Sequence, residues 1–266
     1  MNSKINPNIK AVFFDIDGTL FSFKTKSIPE STQNAIRILR QKGIKVIVAT
    51  GRSINDLDHI KDIEFDGFLT FNGGHCTTTD GEVMFRHTIH SEDISNLLKY
   101  SEDSEVSFSL MYEDKVRISH QSPQVVELYD HVNIPVPPLL NKEMPDIENV
   151  LQVNVFIDPE SEVSFMKEVM PNSLASRWTP LFADVNPEGI SKQNGVQYFC
   201  DFYNIDRSET MAFGDGGNDI SMLKYVAIGI AMGNAGEKVK EAADFITDDV
   251  DDHGVESALK HFGLLD

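Results

Sequence analysis

Residues 10–20 have the sequence KAVFFDIDGTL, and this stretch decides the fold class of the chain. Its apolar part, residues 11–14, combines β-branched and aromatic residues without a helical period, which predicts a strand buried on both faces. The strand runs directly into Asp15 and Asp17. A buried carboxylate is costly unless it is paired or binds a metal. We therefore expect both aspartates at the carboxyl end of the strand, where open α/β sheets place their ligand sites.

Asp15 and Asp17 are two residues apart, which keeps both side chains on one side of an extended chain. Two carboxylates this close repel each other unless a cation lies between them or one of them is protonated. A hard divalent ion with oxygen ligands, Mg²⁺ first, satisfies the first condition, and a carboxylate can also be a nucleophile towards phosphorus. For this motif alone, a polar turn after a core strand is an equally good interpretation.

Length and composition limit the classes of protein to which the chain can belong. Its 266 residues, 41% of them hydrophobic, are enough for one large or two modest domains. The net charge of −19 argues against nucleic acid or an anionic membrane as a partner, but not against a small phosphorylated substrate.

Cysteine usage and the N-terminal segment predict the cellular setting. Cys76 and Cys200 are far apart and fit no metal-binding spacing, so a reduced, cytoplasmic setting is the simplest expectation. Residues 1–10 lack the apolar core of a signal peptide, and the sequence contains no 18-residue apolar segment.

The next segments predict a parallel α/β domain. A helix over residues 29–43 and a second buried strand over 44–49 imply a right-handed crossover. This strand ends in Thr50, Gly51 and Arg52, and Ser53 is expected to begin another helix. A hydroxyl, a glycine and a helix N-terminus together suit an anion, although an ordinary helix cap explains the same residues. Arg52 could reach a phosphate or form an ion pair within the scaffold.

An α+β insert interrupts this domain. Residues 67–71 predict a third strand, followed by a hairpin around Asp80-Gly81. The insert combines predicted helices over 91–101, 122–131 and 159–170 with strands over 106–112, 116–119, 150–157, 174–178 and 181–185. Alternating residues in 106–112 and 116–119 predict a half-exposed antiparallel hairpin. We therefore assign residues 1–84 and 187–266 to the parallel domain and 85–186 to the insert.

The parallel domain resumes with Ser191, which is expected to cap a helix whose first turn contains Lys192. The helix dipole disfavours a cation there, so an anion nearby would explain Lys192, although a surface lysine is also acceptable. A strand over 209–213 leads into Gly214-Asp215-Gly216-Gly217-Asn218-Asp219. A strand over 227–231, a helix over 235–242, a short strand over 245–246 and a helix over 250–262 complete the prediction.

These polar residues are expected to meet. In a parallel sheet, all strand ends of one sense lie along one edge. A single crevice is therefore predicted to contain Asp15, Asp17, Thr50, Lys192, Asp215 and Asn218.

Four segments, taken together, resemble the four motifs of the haloacid-dehalogenase-like phosphohydrolases. They are Asp15-Ile16-Asp17-Gly18-Thr19, Ala49-Thr50-Gly51-Arg52, Ser191-Lys192 and Gly214-Asp215-Gly216-Gly217-Asn218-Asp219. The insert resembles the C2B cap of the Cof-type sugar-phosphatase branch. The resemblance implies a Rossmann-like parallel-sheet core with an inserted α+β (C2B-type) cap domain. One departure is Lys192-Gln193-Asn194-Gly195, since many relatives have glycine directly after the lysine.

The resemblance also implies a role for each motif residue. Asp15 would be the phosphorylated nucleophile and Asp17 the general acid/base, with Thr50 and Lys192 also catalytic. Mg²⁺ would bind Asp15, the carbonyl of Asp17 and Asp215. Phosphate would be held by the Ile16 backbone, Thr50, Gly51, Lys192 and Asn218. Asp219 and Arg52 would lie just outside the groups that touch metal and phosphate, with a water-mediated contact to the metal as an alternative for Asp219.

The expected function is that of a Mg²⁺-dependent phosphatase acting on small phosphorylated metabolites, above all sugar phosphates, through an aspartyl-phosphate intermediate. A phosphosugar mutase of the same fold is the alternative, and a non-catalytic sugar-phosphate sensor is a third class. The expected partner is the small metabolite alone, without nucleic acid or membrane, and the expected assembly is a monomer or weak homodimer. No motif in the insert identifies the substrate.

Overall fold

The apolar run Ala11–Phe14 forms a strand in which every side chain is buried, as predicted. The structure is a computed structural model that describes residues 8–131, 135–141 and 143–266. The first seven positions of the segment considered for a signal peptide lie outside the described residues. Among the helices that the structure describes, none is long and apolar enough to cross a membrane.

The described chain divides into two compact units. Unit 1 consists of the described residues up to Arg52, Asp56–Arg86 and Ser191–Asp266. Unit 2 consists of Ser53–Asn55 and His87–Ile190.

Each unit is built on one sheet. The strands are β1 (Ala11–Phe14), β2 (Lys45–Ala49), β3 (Gly67–Thr70), β4 (His75–Thr78), β5 (Val83–Arg86), β6 (Ser107–Met111), β7 (Val116–Ile118), β8 (Gln152–Phe156), β9 (Ser173–Thr179), β10 (Phe182–Pro187), β11 (Thr210–Gly214), β12 (Ile228–Ala231) and β13 (Phe245–Ile246).

The α-helices of the described chain are α1 (Glu30–Gln41), α2 (Ser91–Asp103), α3 (Pro123–His131), α4 (Glu162–Val169), α5 (Lys192–Tyr203), α6 (Ile220–Tyr225), α7 (Glu237–Lys240) and α8 (Gly254–His261). Short 3₁₀ helices cover Ile54–Asp56, Asp58–Ile60, Phe71–Gly73, Pro159–Ser161, Arg207–Glu209, Gly217–Asp219 and Val250–Asp252.

Two helix predictions need correction. The helix expected from Ser53 is replaced by two short 3₁₀ turns, in a segment where asparagine and aspartate side chains compete for the backbone hydrogen bonds that a helix needs. The helix expected over 250–262 is divided by His253, whose φ of 63° lies in the left-handed region and cannot continue a right-handed helix.

The sheet of unit 1 has the strand order β13-β12-β11-β1-β2-β3-β4-β5. The strands from β13 to β3 are parallel, and the β4–β5 hairpin adds an antiparallel edge. Phe14 of β1 is in register with Val48 of β2 and Phe213 of β11, so these three strands end side by side.

Helix α5 packs very closely on this sheet. Phe199 contacts the ring of Phe13 edge-on at 6.0 Å between centroids. At Gly195 a Cβ atom would overlap the side chain of Leu69 in β3. The absence of a side chain at Gly195 therefore lets the N-terminal turn of α5, with Lys192, approach the sheet.

The sheet of unit 2 is antiparallel, with the order β7-β6-β8-β10-β9. Residues of α2 and α4, such as Leu97 and Phe165, form one apolar cluster with Phe108 and Val153 of the sheet. The prediction of a half-exposed hairpin is wrong for β6, which is buried at every residue, because both faces of this strand are covered: Phe108 packs in the cluster above, and Ser107 on the opposite face hydrogen-bonds to the residue before α3.

Candidate active site

Polar residues follow five neighbouring strands of unit 1 at their carboxyl ends. In the order β12-β11-β1-β2-β3, these residues are Asn234, Asp215, Asp15, Thr50 and Asn72. Because the five strands are parallel, their carboxyl ends share one edge of the sheet.

Asp15 is held at the end of β1. Its N–H donates to the carbonyl of Phe213 at 3.1 Å, which extends the pairing of β1 with β11 by one residue. The residue is 7% exposed, and Oδ1 accepts a hydrogen bond from Lys192 Nζ at 2.7 Å. Burial raises the pKa of Asp15 well above its ordinary range; Lys192 opposes this shift, and Asp219 and Asp215 reinforce it.

Lys192 lies between two carboxylates. Its side chain is fully buried, and Nζ donates to Asp15 Oδ1 at 2.7 Å and to Asp219 Oδ1 at 2.6 Å. Burial favours loss of the proton, but the charges of the two aspartates outweigh it and raise the pKa of Lys192. Ser191 caps the helix by accepting from the N–H of Asn194. The anions that explain a lysine at this position are thus carboxylates of the site itself.

Asp219 uses both of its oxygens within the site. Oδ1 accepts from Lys192, and Oδ2 accepts from the N–H groups of Asp215 at 3.0 Å and Gly216 at 2.9 Å. The side chain is 0% exposed. Asp219 therefore fixes the loop after β11 and the position of the Lys192 ammonium.

Asp215 is held less tightly. Thr19 Oγ1 donates to its Oδ1 at 3.3 Å, and Asn234 Nδ2 lies 3.2 Å from its Oδ2. Burial, followed by the charge of Asp219, raises the pKa of Asp215 to about 7, while Lys192 and Thr19 act in the opposite direction. Gly18 has a φ of +81°, and a Cβ atom there would overlap the Asp215 carboxylate.

The donor set suits a hard divalent cation. Carboxylate oxygens of Asp15, Asp215 and Asp219 lie within 4.8 Å of one another. Since Asp219 is committed to Lys192 and two backbone N–H groups, Asp15 and Asp215 are the better ligands. A nucleophilic carboxylate must be ionised, and a bound cation would counter the burial that favours protonated Asp15.

Asp17 is not part of this acidic cluster. Both of its oxygens accept from Arg52, Oδ2 from Nε at 2.6 Å and Oδ1 from Nη2 at 2.7 Å. Burial opposes the charge of Arg52, but the hydrogen bonds and charge of Asp17 raise the pKa of the guanidinium. Of the two alternatives for Arg52, the structure shows the ion pair.

The second and fourth motifs meet through one asparagine. Thr50 Oγ1 accepts from the N–H of Arg52 at 3.1 Å. Asn218 Nδ2 donates to Asn72 Oδ1 at 2.9 Å, and a Cβ atom on Gly51 would lie 3.2 Å from the Asn72 amide. Thr50, Gly51 and Asn218 are thereby linked at the edge of the sheet.

The Ile16 carbonyl organises the turn that carries Asp17. It accepts from the N–H groups of Thr19, Leu20 and Phe21 at 3.2, 2.9 and 2.7 Å. The first motif is therefore a closed turn, with Asp15 before it and Asp17 within it.

Two residues of the site, Asn72 and Asn234, were missed by the sequence analysis. Asn234 Nδ2 donates to the Gly18 carbonyl at 2.8 Å, and Asn234 Oδ1 accepts from the N–H of Val250 at 3.1 Å. Both asparagines follow the carboxyl ends of parallel strands, so the rule that identified Asp15 and Thr50 would also have identified them.

Three comparisons with known proteins agree with this geometry. The family model for haloacid dehalogenase-like hydrolases matches residues 12–259. The solved structure of BT1666 from Bacteroides thetaiotaomicron, described among the phosphatases of the haloalkanoate (HAD) enzyme superfamily, is 40% identical with a TM-score of 0.90, covering 97% of this chain and 96% of that chain. The structure of BT4131, described as a HAD subclass IIB sugar phosphatase, is 39% identical with a TM-score of 0.87, covering 96% of this chain and 100% of that chain.

A curated relative gives the same result. The Bacillus subtilis (strain 168) protein named "Putative phosphatase YkrA" is 33% identical over 262 residues, which are 96% of this chain and 98% of the relative.

Proposed function

The chain belongs to the haloacid dehalogenase-like hydrolase family as a phosphatase, and we propose that it is a Mg²⁺-dependent enzyme that hydrolyses sugar phosphates through an aspartyl-phosphate intermediate. One observation carries the proposal: the buried carboxylate of Asp15 is paired with Lys192 and lies beside Asp215 in a set of oxygen donors. A nucleophile, a fixed cation and a metal-binding carboxylate are the groups that phosphoryl transfer through a carboxylate requires.

Asp15 and Lys192 act on the phosphate. An Asp15 oxygen forms a bond to phosphorus while the bond from phosphorus to the substrate oxygen breaks. Lys192, the Ile16 backbone, Thr50, Gly51 and Asn218 hold the phosphate oxygens, and the lysine charge balances their negative charge. The carboxylates of Asp15 and Asp215 and the carbonyl of Asp17 would hold Mg²⁺. When bound, this ion would neutralise further negative charge on the phosphate.

Asp17 moves the proton in both steps. In the first step it gives a proton to the departing alkoxide, and in the second it takes one from the water that attacks the aspartyl phosphate. That attack breaks the bond between phosphorus and Asp15, which releases inorganic phosphate and regenerates the free carboxylate. Protonated Asp17 can keep one of its two hydrogen bonds from Arg52, so Arg52 orients the carboxyl for proton donation.

The proposal includes a role for residues 85–186, which we expect to determine substrate preference. They supply the second sheet and contain none of the four motifs. Substitutions there should change the ranking of sugar phosphates and leave the hydrolysis of a small aryl phosphate unchanged.

Product analysis tests the proposed function. Purified protein with Mg²⁺ should release inorganic phosphate from members of a panel of hexose, pentose and alditol phosphates, and Asp15→Asn should release none. If phosphate moves to another position of the sugar without release, the mutase alternative is correct and the phosphatase proposal is wrong. Absence of either product across the panel would contradict the sugar-phosphate assignment.

A further inference from the structure

The two faces of the unit 2 sheet have different chemistry. One face presents Phe108, Val153 and Val185 to the cluster with α2 and α4. On the other face, Val125 and Leu128 of α3 cluster with Phe156 and Phe182. Beyond this second cluster, the same face of β8 and β10 is polar, which core packing alone does not require.

Polar side chains form a row across the strands on this face. Ser109 of β6 is in register with Asn154 of β8, and Asn154 with Asp184 of β10, which is in turn in register with Ser176 of β9. Each of these four positions carries a hydrogen-bonding side chain. The row is built into the strand register and does not belong to a surface loop.

Amide groups converge on one oxygen of Asp184. Gln152 Nε2 and Asn154 Nδ2 both donate to Oδ1, the first at 3.1 Å. Asn186 Nδ2 donates in turn to Gln152 Oε1 at 3.0 Å. Gln152, Asn154 and Asn186 are each less than 10% exposed, so the arrangement is held in place.

Two acceptor atoms of the row have no partner in the described chain. Asp184 Oδ2 and Asn154 Oδ1 accept no hydrogen bond there, and no lysine or arginine of the described residues pairs with Asp184. Burial raises the pKa of this carboxyl to about 7, with the Asn154 hydrogen bond opposing the shift. A carboxylate that has amide donors on one oxygen but no cation partner is unfavourable for folding, and a ligand on its second oxygen would explain why it is kept.

We propose that Asp184 and Asn154, oriented by Gln152, form a site within unit 2 that binds the hydroxyl groups of a sugar. This inference rests on the proposed function and adds the residues that recognise the sugar. Two neighbouring acceptors, Asp184 Oδ2 and Asn154 Oδ1, suit two hydroxyl donors. Hydrogen bonds to a charged acceptor are about twice as strong as neutral ones.

Other ligand groups fit the row less well. A second phosphate would be repelled by Asp184, because no cation of the described chain accompanies it. An aromatic ring would need an apolar platform, and the aromatic side chains nearest in register, Phe156 and Phe182, are already buried in the cluster with α3.

Asp184→Asn is the sharpest test. Since Gln152 and Asn154 donate to the inner oxygen, the new amide would keep its oxygen inward and place its NH₂ group where Oδ2 was. An acceptor becomes a donor with almost no change in shape, and a partly buried charge is removed, so the fold should be retained. Asn154→Ala is a second variant that leaves the carboxylate in place. Asp158→Asn removes an exposed carboxylate of unit 2 that makes no side-chain hydrogen bond and is the matched control.

The measurement is kcat/KM for hexose and pentose phosphates, single-deoxy analogues of the best substrate, and 4-nitrophenyl phosphate. For the best sugar phosphate, Asp184→Asn and Asn154→Ala should each lower kcat/KM by about tenfold or more, the range expected for loss of one hydrogen bond to the substrate. The aryl phosphate and the Asp158→Asn control should be unaffected. At least one deoxy analogue should be poor for the wild-type protein and no longer discriminated against by Asp184→Asn.

These measurements distinguish a failure of this inference from a failure of the proposed function. If the wild-type protein hydrolyses sugar phosphates and both variants do so with unchanged kcat/KM, the inference is wrong and the proposed function stands. If the wild-type protein hydrolyses only the aryl phosphate, the sugar-phosphate function fails and the inference fails with it. Dependence on Asp184 limited to amino sugar phosphates would show an ammonium ligand and would overturn the assignment to hydroxyls.

Discussion

Asp17 and Arg52 are joined by two hydrogen bonds in a fork geometry that lysine cannot reproduce. Arg52→Lys keeps the charge and removes the fork, so the Asp17 carboxyl should be less well oriented for proton transfer. We expect kcat to fall about 10- to 100-fold with little change in KM. Arg37→Lys, on the exposed side of α1, is the matched control.

A positioning role for Arg52 predicts chemical rescue. Added guanidinium should restore part of the activity of Arg52→Ala, because the free ion can form the same fork with Asp17. Wild-type kcat in Arg52→Lys would show that the fork is not needed.

At the level of single residues, the sequence predicted which side chains lie in the site better than it predicted their partners. Asp15, Lys192 and Asp215 come together as expected. The choice between phosphate and ion pair for Arg52 could not be made from sequence, because it depends on the distance between two loops. The link between Asn72 and Asn218 could not be predicted either, since it joins residues 146 positions apart.

At the level of elements, the turn after β1 has a backbone requirement that can be tested. Gly18 has a φ of +81°, and a Cβ atom there would overlap the Asp215 carboxylate. Gly18→Ala should therefore lower stability by about 1–2 kcal/mol for the left-handed backbone, and more for the overlap, and should weaken Mg²⁺ binding.

Gly81→Ala is a matched control for this turn. Gly81 has a φ of +83°, and a Cβ atom there would meet open space. The Gly81→Ala variant should therefore lose only the stability that the left-handed backbone costs, and its activity should be normal. Urea unfolding and phosphate release measure the two effects, and equal losses of activity in both variants would refute the role given to Gly18.

The parallel strands were the most predictable elements, because strands buried on both faces have continuous apolar sequences such as 11–14 and 44–49. The alternating sequence of β6 predicted exposure on one face, but its serines are buried at 1% or less beside β7 and β8. Which face of an antiparallel strand is covered depends on distant segments, so its local pattern could not show this.

At the level of the whole molecule, the acidic cluster predicts a link between pH, metal and stability. The pKa of Asp215 is raised from 3.8 to about 7, so folding favours its protonated form. The contribution of protonated Asp215 to the free energy of unfolding is complete below about pH 4 and is lost as the pH rises towards 7. Mg²⁺ binds the ionised form and should restore the loss.

Thermal unfolding with chelator and with Mg²⁺ at pH 5 and pH 8 tests this link. The increase in Tm caused by Mg²⁺ should be larger at pH 8, and Asp215→Asn should abolish most of it. Asp184, whose pKa is also raised to about 7, should contribute a fall in stability that Mg²⁺ does not reverse. If Mg²⁺ raises Tm by the same amount at both pH values, the assignment of Asp215 as a metal ligand is contradicted.

The central claim is that Asp15 becomes phosphorylated. The most direct measurement is acid quenching during turnover of a substrate labelled with ³²P, followed by mapping of the protein-bound label to a peptide. We predict label on Asp15 in the wild-type protein, more label in Asp17→Asn because hydrolysis of the intermediate is slowed, and none in Asp15→Asn. Turnover without label in the wild-type protein and in Asp17→Asn, or label on the Asp15→Asn protein, would contradict the account.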